Sequence, residues 1–143
     1  MSKDITSANA SVYLFASLFP AGLKFENFSA DNAWASENYE TVEHRMGVDG
    51  HMAAGYTPVE KTITFTLEAN SPTLDGLDLL LQTTEVSKTP IFGQMVITLP
   101  SLKRTFTLVN CILTSFKLLP NADRVLAPRE ATFVCESITS LPL

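Results

Sequence analysis

The strongest structural constraint in this sequence is a two-residue alternation between Val59 and Ala69. Apolar residues occupy every second position there except Lys61, and polar residues, mostly threonine, fill the positions between them. Successive side chains of a β-strand point to opposite faces, so this pattern predicts a strand with one face against a core. The predicted core face carries Ile63, Phe65 and Leu67, and the opposite face carries Thr62, Thr64, Thr66 and Glu68.

Further strands are predicted on both sides of this segment. Residues 12–19 are rich in β-branched and aromatic residues and end at a Pro-Ala-Gly turn signal, after which 22–28 alternates again. Residues 39–46 alternate weakly, which predicts that they pair with 59–69 as an antiparallel hairpin. The last third returns to apolar, strand-like runs, and the polar Asn110 inside one of them predicts a bulge or bend.

The segment 70–85 has helical periodicity instead. Ser71 followed by Pro72 fits a helix start, because the missing amide of proline costs nothing in the first turn. Gly76 weakens a helix by roughly 1 kcal/mol relative to alanine, which predicts close packing at that position. The sequence therefore predicts a mainly β fold, an antiparallel β-sandwich or small barrel with one flanking α-helix at about residues 71–84. The stripe predicted to dock this helix on the sheet consists of Leu74, Leu77 and Leu81.

Length and composition limit the domain plan. The 143 residues are enough for one domain with a real core, and residues 1–143 are expected to form a single domain. Hydrophobic residues make up 45% of the chain and charged residues only 17%, against the roughly 25% usual in globular proteins. We therefore expect part of the surface to lie against partners. The small polar residues 1–10 are expected to form a mobile arm that a partner orders.

The formal charge of −5 is concentrated in residues 24–60, which carry seven acidic and two basic residues. No basic patch that would bind phosphates is present, which argues against tight nucleic-acid binding. The first ten residues lack the charged and apolar regions of a signal peptide, and the apolar run 12–19 is too short to span a bilayer. These features predict synthesis in the cytoplasm.

The chain shows no motif for covalent or phosphate chemistry. Neither a G-x-S-x-G elbow nor a dinucleotide-binding glycine motif occurs, and Glu40 with Glu43 is more typical of exposed acidic positions than of a glycosidase pair. Cys111 and Cys135 lie in apolar runs and form no C-x-x-C pair. We interpret them as buried free thiols that act as small hydrophobic side chains, and an enzyme is disfavoured.

The glycine-rich stretch 43–60 offers a choice between chemistry and contact. His44, Asp49 and His51 are candidate metal ligands, but zinc needs three or four well-held donors and no cysteine lies nearby. The stretch also lacks the lysine of a phosphate-binding loop. We favour an extended hairpin tip over residues 45–58, whose glycines permit turns and whose methionines offer adaptable apolar contacts. A small ligand- or metal-binding β-barrel is the alternative.

The threonines suggest a sheet face that is polar but carries few charges. They lie on the 62–66 face and recur later in the chain at Thr105, Thr107 and Thr114. Such a face suits a neighbouring subunit or a water-filled channel, because an ordinary monomer surface carries more lysine and glutamate. The alternative is a solvent-exposed face that is rich in threonine because threonine favours strands.

Residues 40–85 resemble the central region of tail tube proteins from bacteriophages with contractile tails. In that family a Gly-x-Asp-Gly hairpin tip precedes a strand of alternating threonines and apolar residues, and a short Ser-Pro-initiated helix with leucines follows. Here these elements are Gly47–Gly50, Thr62–Leu67 and Ser71-Pro72. The resemblance implies a β-sandwich or small barrel with a flanking helix, a fold shared with the tube protein of type VI secretion systems.

The same resemblance implies a non-enzymatic structural subunit, without cofactors, that forms stacked rings, usually of six, around a lumen. DNA passes through such a lumen without specific binding. The implied partners are other copies of the chain, the tail sheath protein, the baseplate hub and the tape-measure protein. The implied location is the tail of the virion, with no membrane and with synthesis in the host bacterial cytoplasm. The tube of a type VI secretion system or of another contractile injection machine is the alternative.

The resemblance also suggests which residues make contacts. An inter-ring contact is expected at the hairpin tip, from Gly47, Val48, Asp49, Gly50, His51, Met52, Gly55 and Tyr56. An acidic segment is expected to face the lumen, where it would repel the DNA backbone, or alternatively the surrounding sheath. Its residues are Glu26, Glu37, Glu40 and Glu43.

Overall fold

The computed structural model describes residues 10–29 and 33–143. The predicted mobile arm lies outside these residues except for Ala10. In chain order the elements are β1 Ser11–Ala16, β2 Phe19–Lys24, β3 Trp34–Ser36, β4 Val42–Met46, β5 Met52–Tyr56, β6 Lys61–Leu67, α1 Thr73–Ser87, β7 Gly93–Leu99, β8 Arg104–Phe116, β9 Arg129–Cys135 and β10 Ser137–Pro142.

Eight of the strands form one sheet in the order β2-β1-β7-β8-β9-β6-β3, with β10 paired to β8 beside this path. Strands β4 and β5 form a separate two-stranded sheet. Every strand pairing among the described residues is antiparallel. The prediction of a mainly β, antiparallel fold with a flanking helix is confirmed.

Strand β8 divides the sheet into two halves. Its first part, up to Val109, pairs with β7 and β10, whereas its second part, from Ile112, pairs with β9. Between them Asn110 has a φ of 53°, and the ladder with β7 shifts register opposite this point. The predicted bulge or bend at Asn110 is therefore confirmed. We call the strands β2, β1, β7, β10 and the first part of β8 half A, and the second part of β8 with β9, β6 and β3 half B.

The core lies between the two halves. Strand β6 alternates as predicted, with Ile63, Phe65 and Leu67 buried and its threonines half-buried on the other face. The Phe65 ring lies 4.8 Å from that of Phe25 and 6.0 Å from that of Phe133, centroid to centroid. Burying each such side chain contributes about 1.5–3 kcal/mol. The cluster also includes Val12, Leu14, Met95, Ile97 and Leu108 from half A and Ala131 and Cys135 from half B.

The segment after β2, residues 25–28, runs from half A to half B. The amide of Phe25 donates to the Val12 carbonyl at 2.9 Å, and Phe28 forms an isolated bridge with Leu67 of β6. The first strands differ from the prediction, because the turn falls at residues 17–18 and Pro20 lies inside β2. Proline is tolerated there since β2 is an edge strand and needs no donor on its outer side.

The helix begins two residues later than predicted. Ser71 does not cap it, because its hydroxyl donates to the Glu26 carbonyl. The Thr73 hydroxyl donates to the Lys24 carbonyl at 2.7 Å and accepts from the Glu26 amide at 2.8 Å, so the start of the helix holds the end of β2. The predicted stripe is wrong at one position. Its buried leucines are Leu74, Leu77 and Leu80, and Leu81 is only half-buried.

Two contacts fix how the helix sits. The Arg129 guanidinium, which is 6% exposed, donates to Asp78 of the helix at 2.6 Å and lies 4.6 Å above the ring of Phe116. At Gly76 an added Cβ would lie 2.8 Å from the methyl carbons of Leu23, so the predicted close packing at this glycine is confirmed. The helix is thereby tied to β2 on one side and to β9 on the other.

Cys111 and Cys135 are both buried and free, as predicted. They lie on neighbouring strands with their sulfur atoms 2.8 Å apart. The hydrogen bond with Cys135, together with burial, raises the pKa of the Cys111 thiol well above its usual range. That thiol therefore stays protonated, and a protonated thiol is a poor nucleophile.

Nothing helical in the described part of the chain has the length and apolarity that crossing a bilayer requires.

Candidate functional site

The glycine-rich stretch folds into a separate hairpin, which we call the hairpin arm, residues 42–56. Strands β4 and β5 pair in register from Val42 opposite Tyr56 to Met46 opposite Met52. The turn between them is closed by hydrogen bonds from the Gly47 amide to the His51 carbonyl at 2.7 Å and from the Gly50 amide to the Gly47 carbonyl at 3.0 Å. Gly50 has a φ of 88°, a conformation that glycine adopts without strain.

This arrangement corrects the predicted pairing of residues 39–46 with 59–69. β4 pairs with β5, and β6 pairs with β3 and β9 instead. β4 pairs with β5, the strand nearer in sequence, because closing the short Gly47–His51 turn costs less chain entropy than closing a longer loop.

Every residue of the hairpin arm is exposed. The arm nevertheless carries large apolar side chains, with Met46 63% and Met52 62% exposed and Val48 fully exposed. A two-stranded hairpin without a buried face is at best marginally stable in water. An apolar surface on such an element is typical of a contact with another molecule. The large apolar residues of the arm are Val42, Met46, Val48, Met52 and Tyr56.

The arm leaves half B at the end where β6 begins. The Glu37 amide donates to the Thr62 carbonyl at 3.1 Å, and the Thr57 amide donates to the Thr41 carbonyl at 2.7 Å across the base of the arm. The Lys61 ammonium lies 5.0 Å from the centre of the Tyr39 ring. These contacts hold the base of the arm and leave the strands beyond it free of the main sheet.

The structure divides the predicted acidic segment. Glu37, Glu40 and Glu43 are exposed and follow one another into the arm. Glu26 is also exposed, but its backbone is held by Ser71 and Thr73 beside the start of the helix. Glu37 and Glu40 therefore lie in the segment that leads into the arm and Glu43 in β4, whereas Glu26 lies apart from them along the chain.

The candidate metal ligands do not form a metal site. His44 lies within β4 opposite Ala54, whereas Asp49 and His51 lie in the turn, where the Asp49 carboxylate accepts from the His51 amide at 3.2 Å. Across residues 10–29 and 33–143, no three His, Cys, Asp or Glu side chains are grouped so that they could hold a metal ion. The role of Asp49 in this structure is to close the turn.

The outer face of half B carries the predicted threonines of β6, with Thr114 beside them, whereas Thr105 and Thr107 lie in half A. The hydroxyls of Thr64 and Thr132 lie 3.2 Å apart across β6 and β9, and the Thr114 hydroxyl donates to the Thr132 carbonyl at 3.2 Å. The charged side chain beside them in the β6–β9 ladder is Glu130, opposite Thr66. This face is therefore polar with little charge over most of its area.

A second exposed apolar surface was not predicted as a site. It is the 117–128 loop between β8 and β9, in which Leu119 is 81% and Val125 78% exposed. The sequence signal that identifies it is a group of apolar residues inside a loop that contains Pro120 and ends at Pro128. Apolar side chains in a connection between strands have no core to enter, so they remain on the surface.

Comparison with solved structures identifies proteins with a similar fold. The fold is similar over its whole length to proteins in solved contractile injection systems. One is in the PVC sheath-tube complex in the extended state, at a TM-score of 0.66 and 13% identity, covering 98% of this chain and 93% of that one. Another is in the cap that terminates the tube of the anti-feeding prophage, at a TM-score of 0.64 and 11% identity, covering 100% of this chain and 94% of that one.

A third is in the six-fold symmetrised baseplate of the anti-feeding prophage, at a TM-score of 0.63 and 15% identity, covering 99% of this chain and 98% of that one. The chain itself belongs to the tail fiber protein gp32 family, whose model matches residues 3–139. The predicted relation to contractile-tail proteins is confirmed, and the chain is a structural tail component. Comparison with curated proteins gave no match.

Proposed function

We propose that this chain is a tube subunit of a phage tail, and that its copies join into rings of six that stack around a channel for DNA. The observation that carries the proposal is the hairpin arm, an exposed element with a row of large apolar side chains and no partner surface within the described chain. An arm of this kind gains stability when it lies on a neighbouring copy.

Ring formation is supported by the edges of the sheet. The outer strands are β2, β3 and β10, and β10 presents Ser137–Pro142 without a charged residue. Unprotected edges pair readily with other strands, and a closed ring of copies leaves none of them free. Residues 1–10 act in this proposal as an arm that becomes ordered on a neighbouring copy.

The channel requires a surface that does not hold DNA. The threonine face of half B, where the charged side chain is the acidic Glu130, and the acidic residues Glu37, Glu40 and Glu43 both meet this requirement, because neither attracts phosphates. In a virion tail the remaining partners are the sheath around the tube, the baseplate hub at one end and the tape-measure protein inside. The subunit performs no catalysis and holds no cofactor.

The tube of another contractile injection system, a type VI secretion system among them, is the second candidate. It is supported by the likeness to proteins of the PVC and anti-feeding prophage particles. Both candidates predict the same self-assembly, and particles purified from the producing cells distinguish them by whether they contain DNA.

Negative-stain electron microscopy of the concentrated, purified chain tests the proposal. We expect rings and tubes with a central channel. A variant in which residues 44–54 are replaced by two glycines removes the paired arm in register and leaves β6 intact. This variant is expected to form rings but no tubes. If the unmodified chain stays monomeric at high concentration in every salt condition tried, the proposal is wrong.

A further inference from the structure

We infer that the hairpin arm of one copy docks on the 117–128 loop of the next copy along the stack, in a head-to-tail contact. The inference rests on the proposed function and adds to it the surface that receives the arm. It is drawn from three features of the chain, namely the placement of the two surfaces, their apolar residues and their opposite charge.

The two surfaces lie at opposite ends of the same pair of strands. Lys61, where the arm returns to the sheet, pairs with Cys135 at the end of β9. Leu67, at the other end of β6, pairs with Arg129, which directly follows the loop. Seven strand residues at about 3.3 Å each separate the two ends by roughly 20 Å. A copy that presents the arm at one end therefore presents the loop at the other.

The loop is held in place by hydrogen bonds and so offers a formed surface. The Ala127 amide donates to the Asn121 carbonyl at 2.9 Å, and an isolated bridge joins Ala122 and Leu126. At its base the Lys117 amide donates to the Glu130 carbonyl at 3.2 Å, and the Arg129 Nε donates to the Lys117 carbonyl at 2.8 Å. A surface fixed before contact loses little entropy when it binds.

Both surfaces expose apolar side chains that the fold of a single copy does not cover. On the loop these are Leu118 at 42%, Leu119 at 81%, Val125 at 78% and Leu126 at 53% exposure. Like the valines, methionines and tyrosine of the arm, they are large, apolar and exposed. Beside the loop lies a groove of about 560 Å³, lined mostly by polar residues, which gives the arm a concave surface to enter. Its lining includes Phe116, Lys117, Asn121 and Pro128 and, at the edge of the outer face of half B, Thr66, Glu130 and Thr132.

The charges of the two surfaces are opposite. Residues 37–60, which contain the arm and its base, carry five acidic residues and one basic residue. The 117–128 loop carries two basic residues, Lys117 and Arg124, and one acidic residue, Asp123. Two arms placed against each other would bring like charges together, whereas an arm on a loop brings opposite charges together. The charges therefore favour the head-to-tail arrangement over a two-fold one.

A head-to-tail contact predicts a specific result when two damaged chains are mixed. One variant carries Leu119→Ser and Val125→Ser on the loop, and the other carries Val48→Ser and Met52→Ser on the arm. Each alone lacks one of the two surfaces, so we expect rings but no tubes from either. The control, Leu79→Ser with Val86→Ser, removes two exposed apolar residues from the outer face of the helix and should form tubes normally.

When the two damaged variants are mixed, the intact arm of one meets the intact loop of the other, and ring pairs form that cannot grow further. Electron microscopy and sedimentation distinguish these pairs from single rings and from tubes. Formation of the pairs also shows that both variants are folded. An Arg124→Glu variant should raise the concentration needed for tube formation by about tenfold, and more at low salt.

Three outcomes would overturn the inference. The first is tube formation by the loop variant alone, the second is pairing of its rings through two arms, and the third is a mixture that yields only single rings. If the unmodified chain forms tubes in the same experiment, the proposed function stands and only the assignment of the loop is lost. If the unmodified chain forms no rings at all, the proposed function is wrong, and the inference that rests on it is wrong as well.

Discussion

The hairpin arm and the β6–β9 pair are both antiparallel ladders, with five paired positions in the arm and seven in the β6–β9 pair. In β6 every second side chain is buried, whereas in the arm every side chain from Val42 to Tyr56 is exposed. The β6–β9 ladder gains its stability from the apolar area it buries within the chain. The arm lacks a buried face, so in the proposed assembly it gains its stability from contacts outside the chain.

This difference separates folding from assembly in one molecule. Changes in the β6–β9 ladder should affect whether the chain folds, while changes in the arm should affect only what the folded chain binds. The following predictions test that separation, from the largest expected effect to the smallest.

The rate of thiol labelling should differ most between the arm and the core. A cysteine introduced as Ala53→Cys on the arm is exposed and should react with iodoacetamide as a free thiol does. Cys111 and Cys135 are both buried, so reagent reaches them only when the structure opens, and both should react at least about a thousandfold more slowly. The hydrogen bond with Cys135 and burial also raise the pKa of Cys111, which disfavours its reactive thiolate further. Mass spectrometry of timed samples measures the rates. Similar rates at Cys111 and on the arm would contradict the separation.

Truncating a core side chain should lower the free energy of unfolding by several kcal/mol more than truncating a side chain of the arm. Phe65→Ala removes a fully buried ring that contacts Phe25 and Phe133, and we expect it to lower the free energy of unfolding by about 4 kcal/mol. Val48→Ala, on the arm, should change it by less than about 0.5 kcal/mol. Urea denaturation of dilute monomer provides both values. A large loss from Val48→Ala would show that the arm contributes to the fold of the single chain.

Glycine substitutions give a smaller but well-matched contrast. Gly76→Val places a side chain where even a Cβ lies 2.8 Å from Leu23, and overpacking of this kind should cost about 2 kcal/mol. Gly55→Val, in β5, meets nothing within 4 Å and puts a strand-forming residue into a strand, so its effect should be within about 0.5 kcal/mol of zero. Thermal denaturation of the two variants side by side measures the difference. Equal melting temperatures would show that Leu23 moves away from the helix freely.

The main elements of the fold follow from local patterns in the sequence. The alternation at Ile63, Phe65 and Leu67 predicts β6 and its buried face, and the polar Asn110 in an apolar run predicts the bend in β8. Gly76 inside the predicted helix predicts close packing at that position. Each of these depends on neighbouring residues alone, which is why a single sequence contains the information.

What the sequence does not determine depends on residues far apart in the chain. The third buried leucine of the helix is Leu80 and not Leu81, and the helix is also held by Arg129, fifty-one residues after Asp78. The partner of β4 is β5, a short strand whose central residues Ala53, Ala54 and Gly55 are small and do not distinguish it from a loop. The predicted contact residues at 47–52, 55 and 56 are all exposed, and in the proposed assembly the surface that receives them belongs to another copy.

The bend at Asn110 has a mechanical consequence. Because β8 belongs to both halves, sliding one half past the other would break its ladders with β7, β9 and β10 together. In the proposed tube each subunit should therefore respond to load as one stiff body, with its compliance concentrated in the hairpin arm. A long assembly of such bodies bends at its joints, and the curvature it tolerates is decided by contacts between copies.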